Sequence, residues 1–272
     1  MTRPLPPPSA WRPARLLSIH DAPQAIDQCV AEETPVAFHY NGMPHAVMMA
    51  TPQDLADFAL GFSWTEGIVA SPKAIRGVDI QPRDDGSIDI TLRIDGPSFA
   101  RLLSTGRRAM TGRSSCGVCG TEHIDDVTRV LPPVPRGTPV AMSAIGRALE
   151  ALETRQPLNA DVHMVHAAAW ADLHGTVTLA REDIGRHNAL DKLIGARMAA
   201  GAETDGFAII TSRCSFEMVQ KAVAAGISVL VALSAPTARA LDVAERAGLT
   251  LVARARRDRQ MVFTHPWRIE AT

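Results

Sequence analysis

Cys116 and Cys119 form a C-x-x-C inside Ser114-Ser115-Cys116-Gly117-Val118-Cys119-Gly120, a stretch preceded by Arg107, Arg108 and Arg113. Three chemistries use such a pair: dithiol/disulfide exchange, metal ligation, and carriage of sulfur as a persulfide. A thioredoxin-like dithiol opens a helix directly after a strand. Here the motif sits among Gly106, Gly112, Gly117 and Gly120, and no apolar period runs from Thr105 to Gly120, which disfavours a rigid redox pair. A structural zinc site wants four ligands, and after Cys116, Cys119 and His123 no second paired motif follows at ordinary spacing, His163 and His166 being distant. The H-x-E that precedes P-C-x-x-C in zinc deaminases is missing. A persulfide carrier needs an exposed thiolate, positive charge to favour it and a tether that can visit donor and acceptor, and a flexible Gly/Arg loop would supply all three. A zinc site and a purely structural turn remain the alternatives.

A second cluster, Arg254-Ala255-Arg256-Arg257-Asp258-Arg259, places four guanidinium groups in six residues. Forked donors of this kind suit phosphate or pyrophosphate oxygens, against the plainer reading of a solvated turn. Gly185-Arg186-His187-Asn188 falls at a helix start, where free backbone N–H groups could meet an anion or the segment could simply be a cap with an exposed His. Cys29 and Cys214 are single cysteines in segments expected to pack and read as small buried hydrophobes. His163 and His166 read as a packed or hydrogen-bonded pair.

These residues must be positioned by a chain of 272 residues with 46% hydrophobic and 21% charged residues, long enough for two domains. The 28 Lys+Arg against 29 Asp+Glu leave a net charge of -1, which excludes a disordered polyelectrolyte and a globally basic nucleic-acid coat. The longest uncharged apolar-rich run, Ala222 to Ala235, falls short of the roughly 20 residues that cross a bilayer. No membrane span and no signal peptide are expected, and a reducing cytoplasm would leave the thiols free.

Residues 1–33 mix prolines and alanines without a sustained period and read as a flexible leader. Residues 34–104 read as a smaller α+β domain. Val36 to Tyr40 and Ala46 to Ala50 flank Asn41-Gly42, a hairpin signal whose slightly long loop includes Pro44. Thr51 and Pro52 look like the cap and first turn of a helix carrying Leu55, Phe58, Ala59 and Phe62 on one face. Ile88, Ile90, Leu92 and Ile94 alternate with polar residues after the Asp85-Gly86 turn, as in a strand. Residues 105–141 combine the C-x-x-C stretch with a Pro-rich linker. Residues 142–272 alternate strand and helix: a helix with Ile145, Leu149 and Leu152, strands near 176–180, 207–210, 229–233 and 249–252, and helices between them. That pattern predicts an α/β domain with a parallel-rich sheet, whose ligands bind beyond the carboxyl ends of the strands. Arg181-Glu182-Asp183, Thr211-Ser212-Arg213, Ser234 and the Arg254 cluster would converge on that rim.

CGVCG, HAAAW, REDIGRHNALDKLIG, TSRCSFEMVQKA and VFTHP occur in the order seen in the FdhD family of formate dehydrogenase accessory sulfurtransferases, and from about Pro35 to Pro266 the chain resembles that family. The resemblance implies a cytidine deaminase-like α/β/α C-terminal domain and a cytoplasmic homodimer. It also implies sulfur transfer from an IscS-like cysteine desulfurase to the molybdenum cofactor, Mo-bis(molybdopterin guanine dinucleotide), for formate dehydrogenase, with guanine nucleotides such as GDP as fragments of the ligand. By position, Cys116 is the persulfide cysteine, Cys119 the assisting thiol, and Arg254, Ala255, Arg256, Arg257, Asp258 and Arg259 the cofactor-binding segment, with no resident metal. The chain departs from the family pattern at His163-Met164, where a glycine pair usually precedes HAAAW. It departs again in the late segment, which has Arg254 for an aromatic residue and Asp258 for a small one.

Overall fold

The computed structural model describes residues 4–104, 132–201 and 205–271. The stretch that reads as a leader instead contains a hairpin, β1 (Ser9–Leu16) pairing antiparallel with β2 (Gln24–Ala31). Its base is anchored: Cys29 packs with Leu158, Val162 and Val165. The remainder exposes both faces, which is why no apolar alternation marks it in the sequence.

The first sheet has the order β4-β3-β6-β5, from β3 (Thr34–Tyr40), β4 (Met43–Ala50), β5 (Ile75–Pro82) and β6 (Ile88–Ile94). Asn41 and Gly42 adopt φ of 49° and 83°, so the β3–β4 turn is a two-residue turn of the primed kind. The connection is shorter than expected because Pro44 lies inside β4, an edge strand that needs no N–H there, next to a register shift at Phe38/His39. The alternating Ile88, Ile90, Leu92 and Ile94 are buried as expected, packing with Phe38, Tyr40 and the Leu55, Phe58, Ala59 and Phe62 face of α1 (Leu55–Thr65). A short helix, α2 (Gly96–Ser104), follows β6.

The second unit is built on a six-stranded sheet ordered β13-β12-β11-β10-β8-β9. Its strands are β8 (His166–Asp172), β9 (Val177–Asp183), β10 (Gly206–Ile210), β11 (Val229–Ala232), β12 (Thr250–Ala253) and β13 (Met261–Val262). One face, with Ala168, Trp170, Ala208, Ile210, Leu230 and Leu251, packs on α5 (Arg186–Ala200), α6 (Phe216–Ala224) and α7 (Ala238–Ala247). The other, with Ala169, Phe207, Ile209, Val229, Val231 and Val252, packs on α3 (Met142–Glu153). The layers are therefore α/β/α, with α4 (Pro157–Val162) leading into β8 and a small ladder of β7 (Val140–Ala141) with β14 (Ile269–Glu270) beside them. As expected β10, β11 and β12 are parallel, but β9 is not the neighbour of β10. Antiparallel β8 lies between them. Its Ala-rich sequence has poor intrinsic strand preference, and it is held by its central position between two packed faces.

The two units meet where α1 crosses α5. A Cβ on Gly61 would lie 1.8 Å from the Asp191 carbonyl oxygen, and one on Gly195 would lie 1.8 Å from that of Asp57. Backbone touches backbone at this crossing, so Gly61→Ala or Gly195→Ala must force the helices apart. Each is expected to cost about 3 kcal/mol or more, read as a shift of the denaturation midpoint. An unchanged midpoint would show that the crossing can widen freely.

Candidate functional site

Strands β9, β10, β11 and β12 run the same way, so their carboxyl ends share one edge of the sheet, together with the first residues of β8 and β13 and the N-termini of α5, α6 and α7. The structure brings all four polar segments to this edge but uses them differently.

The first joins the two units. Asp183 and Lys192 have fully buried side chains 2.7 Å apart. Asp183 also accepts hydrogen bonds from the backbone N–H groups of Thr51 (3.0 Å) and Gly185 (2.7 Å) and from Asn188 Nδ2 (3.0 Å). Lys192 Nζ donates to the Thr51 carbonyl at 2.9 Å, Asn188 Nδ2 donates to that of Met49 at 2.8 Å, and the Ile184 N–H donates to Thr51 Oγ1 at 3.1 Å. Thr51 is thus an anchor between units rather than the expected cap. The helix begins later, at Leu55 after Asp54, whose φ is 53°. Glu182 turns inward to accept from the Leu158 and Asn159 N–H groups at the start of α4, and burial raises its pKa. Arg181 pairs with Asp57 at 2.8 Å.

A second buried cluster lies one turn along α5. Lys221 Nζ is 2.8 Å from Asp191, 3.0 Å from Glu66 and 3.0 Å from Thr65 Oγ1, and Thr65 donates to Asp191 at 2.7 Å. Burial pushes the Asp191 pKa up; on Lys221 burial acts downward but the carboxylates of Asp191 and Glu66 outweigh it and raise the pKa. Asn188, Asp191, Lys192 and Gly195, at i, i+3, i+4 and i+7, form a polar and small stripe on α5 facing the first unit. That spacing is the signal for the contact that the sequence carries, although REDIGRHN by itself suggests only a helix start.

The remaining segments line the edge. His187 Nε2 stands 2.9 Å from Glu217 Oε2, tying the first turns of α5 and α6 together, so of the two readings of this helix start the plain cap with an exposed His does not hold. Arg213 is exposed, while Thr211 Oγ1 accepts from the Ala167 N–H at 2.9 Å and holds the end of β10 against the head of β8. His166 opens β8 opposite Asp183. Burial holds its imidazole below the ordinary range, and the charges of Arg186 and Arg213 push the same way. His163, by contrast, is exposed at the end of α4 with φ of 53°, so the two histidines occupy different environments.

In the late segment the Arg254 N–H donates to the Ser234 carbonyl at 3.1 Å, and Arg256 and Arg259 close a tight turn through N–H···O bonds of 2.7 and 3.3 Å. Arg256 Nη1 donates to the Leu233 and Ala255 carbonyls, and Arg257 pairs with Glu150 at 2.9 Å. Ala255 is buried under the sheet, whereas Arg254, Arg256, Arg257, Asp258 and Arg259 are all exposed.

Cys214 is fully buried, as expected, and burial pushes its thiol up to about 12. It cannot supply a thiolate near neutral pH. Cys214→Ser should leave sulfur transfer intact and cost about 1–3 kcal/mol for the buried hydroxyl, checked by denaturation and by mass analysis of sulfur loading. Cys116, Cys119 and His123 lie outside the described residues. Among the described residues no helix is long and apolar enough to cross a membrane.

The model of the FdhD/NarQ family matches residues 31–270. Two proteins named sulfur carrier protein FdhD are similar along most of their length. That of Xanthomonas campestris pv. campestris (strain B100) is 51% identical over 247 residues, covering 90% of this chain and 87% of the relative. That of Variovorax paradoxus (strain S110) is 50% identical over 252 residues, covering 90% and 89%. In three dimensions the chain is similar to a Desulfotalea psychrophila protein whose crystal structure is described as that of a formate dehydrogenase accessory protein, with a TM-score of 0.76, 25% identity, and coverage of 97% of this chain and 100% of that one. With a family match spanning both units and half of the aligned positions shared with named members, the chain belongs to the FdhD/NarQ family.

Proposed function

We propose that this protein is a sulfur carrier in which Cys116 accepts sulfur from an IscS-like cysteine desulfurase and delivers it to Mo-bis(molybdopterin guanine dinucleotide) for a formate dehydrogenase. The observation that carries this reading is the CGVCG motif in a chain half identical to proteins named sulfur carriers. In the loading step the Cys116 thiolate attacks the outer sulfur of the donor's persulfide. A new S–S bond forms, the donor's S–S bond breaks, and the donor cysteine leaves as a thiolate. Cys119 assists as a second thiol. The cofactor, as substrate, would bind at the carboxyl edge of the second sheet with Arg254, Ala255, Arg256, Arg257, Asp258 and Arg259 contributing contacts, Ala255 through its backbone, and GDP would occupy part of the same site. The α/β/α layers are compatible with a cytidine deaminase-like domain, and the reading includes a cytoplasmic homodimer.

Incubation with a cysteine desulfurase and cysteine, followed by peptide mass analysis, tests the carrier. A sulfur adduct on Cys116 is expected. Its absence, with guanine-nucleotide binding intact, would instead identify a cofactor-delivery chaperone whose C-x-x-C is structural or zinc-bound, and metal content of the same sample would separate those two.

A further inference from the structure

In the arginine-rich segment Arg254 and Arg259 stay exposed, while the other two arginines have partners within the chain. Arg256 is engaged by two backbone carbonyls and Arg257 by Glu150, while Asp258 adds a carboxylate to the same turn. Across the edge, a different set converges from three elements. His166 begins β8; the Thr211 N–H donates to the Ala167 carbonyl at 3.0 Å, which brings the end of β10 and the following Arg213 to the head of β8, and His166 pairs with Asp183, three residues before Arg186 at the start of α5. The first turns of α5 and α6 meet there through His187 and Glu217, so two helix N-termini, with their free N–H groups, adjoin the same place. Ser215, the N-cap of α6, makes no side-chain capping bond, and its Oγ is buried with no hydrogen-bond partner among the described residues. The nearby carboxylates are committed: Glu217 to His187 and Asp183 to Lys192.

We propose that His166, Arg213, Ser215 and the first turns of α5 and α6 form an oxyanion subsite for a phosphoryl or pyrophosphoryl group, separate from Arg254–Arg259. As the place of the cofactor's phosphates it rests on the reading of this edge as the cofactor site; as an anion subsite it stands on geometry alone. A phosphate here would accept charge-assisted bonds from Arg213 and N–H bonds from the helix ends, supply Ser215 with a partner, and relieve the crowding of positive charge around His166.

Inorganic pyrophosphate and GDP, titrated calorimetrically at fixed salt into the wild-type chain, a His166→Gln/Arg213→Gln variant and an Arg254→Gln/Arg259→Gln variant, test the assignment. Arg213 is exposed, so its replacement should leave the fold intact, and the single Arg213→Gln variant provides the same test if the double variant unfolds. The expected result is pyrophosphate binding weakened about tenfold or more by His166→Gln/Arg213→Gln and by less than about threefold by Arg254→Gln/Arg259→Gln. Equal losses in both variants, the reverse order, or no pyrophosphate binding to the wild type would overturn the subsite. If pyrophosphate follows the expected order but GDP does not bind, the subsite stands and the cofactor reading fails. If GDP binds and responds only to Arg254 and Arg259, the reading stands and the subsite falls.

Discussion

Cys116→Ala is expected to reduce activation of the client formate dehydrogenase to the level of cells lacking the protein, with no loss of thermal stability. Only a thiolate can attack the donor's outer sulfur and hold it in a reducible S–S bond, so alanine removes the reacting atom itself. Around Cys116 no apolar period runs from Thr105 to Gly120, so the substitution removes no core packing that the sequence can support. Neither described cysteine can take over: Cys214 is buried with its thiol pushed up to about 12, and Cys29 is buried against Leu158, Val162 and Val165. Cys119→Ala is expected to be milder, since it spares the nucleophile. Normal client activity with Cys116→Ala, in a strain lacking the native protein, would refute the carrier mechanism.

Lys192→Met should be among the most destabilising changes in the described residues. It removes the ammonium from a fully buried pair 2.7 Å apart and also the donor to the Thr51 carbonyl, leaving the Asp183 carboxylate out of water without its counter-charge. Breaking such a pair costs about 3–5 kcal/mol, a large share of a domain's stability. Because Thr51 and Met49 belong to the first unit while Asp183, Asn188 and Lys192 belong to the second, the damage should fall on the junction. Hydrogen exchange should increase at α1 and the start of α5 beyond what either sheet shows. Lys192→Met/Asp183→Asn should be less unstable than the sum of the single changes, since the double variant buries no unpaired charge. A midpoint shift equivalent to under about 1 kcal/mol for Lys192→Met would mean that the pair does not hold the units together.

Local chemistry made several features legible in the sequence. Ile88, Ile90, Leu92 and Ile94 had to lie on one face because strand side chains alternate, and Leu55, Phe58, Ala59 and Phe62 because helices repeat every 3.6 residues. Asn41-Gly42 selected its turn because both positions need positive φ, and the strand–helix alternation after residue 176 announced a sheet whose carboxyl ends share an edge. The cysteine motif was equally legible, because thiol spacing is a covalent property of the chain. Tertiary structure decided the rest. Ala-rich β8 and the exposed β1–β2 hairpin carry no strong strand period, and only pairing partners make them strands. Thr51 looked like a helix cap, and the segment of His187 like either an anion-meeting helix start or a plain cap, yet each residue is committed to one far away in sequence: Thr51 to Asp183 and Lys192, His187 to Glu217. The same holds for the arginine cluster, where four identical side chains in sequence acquire different roles in space once Leu233, Ala255 and Glu150 occupy Arg256 and Arg257. Composition and spacing determine which groups are available for chemistry, but a buried polar side chain takes the partner that burial leaves within reach, and that partner is set by how the two units pack.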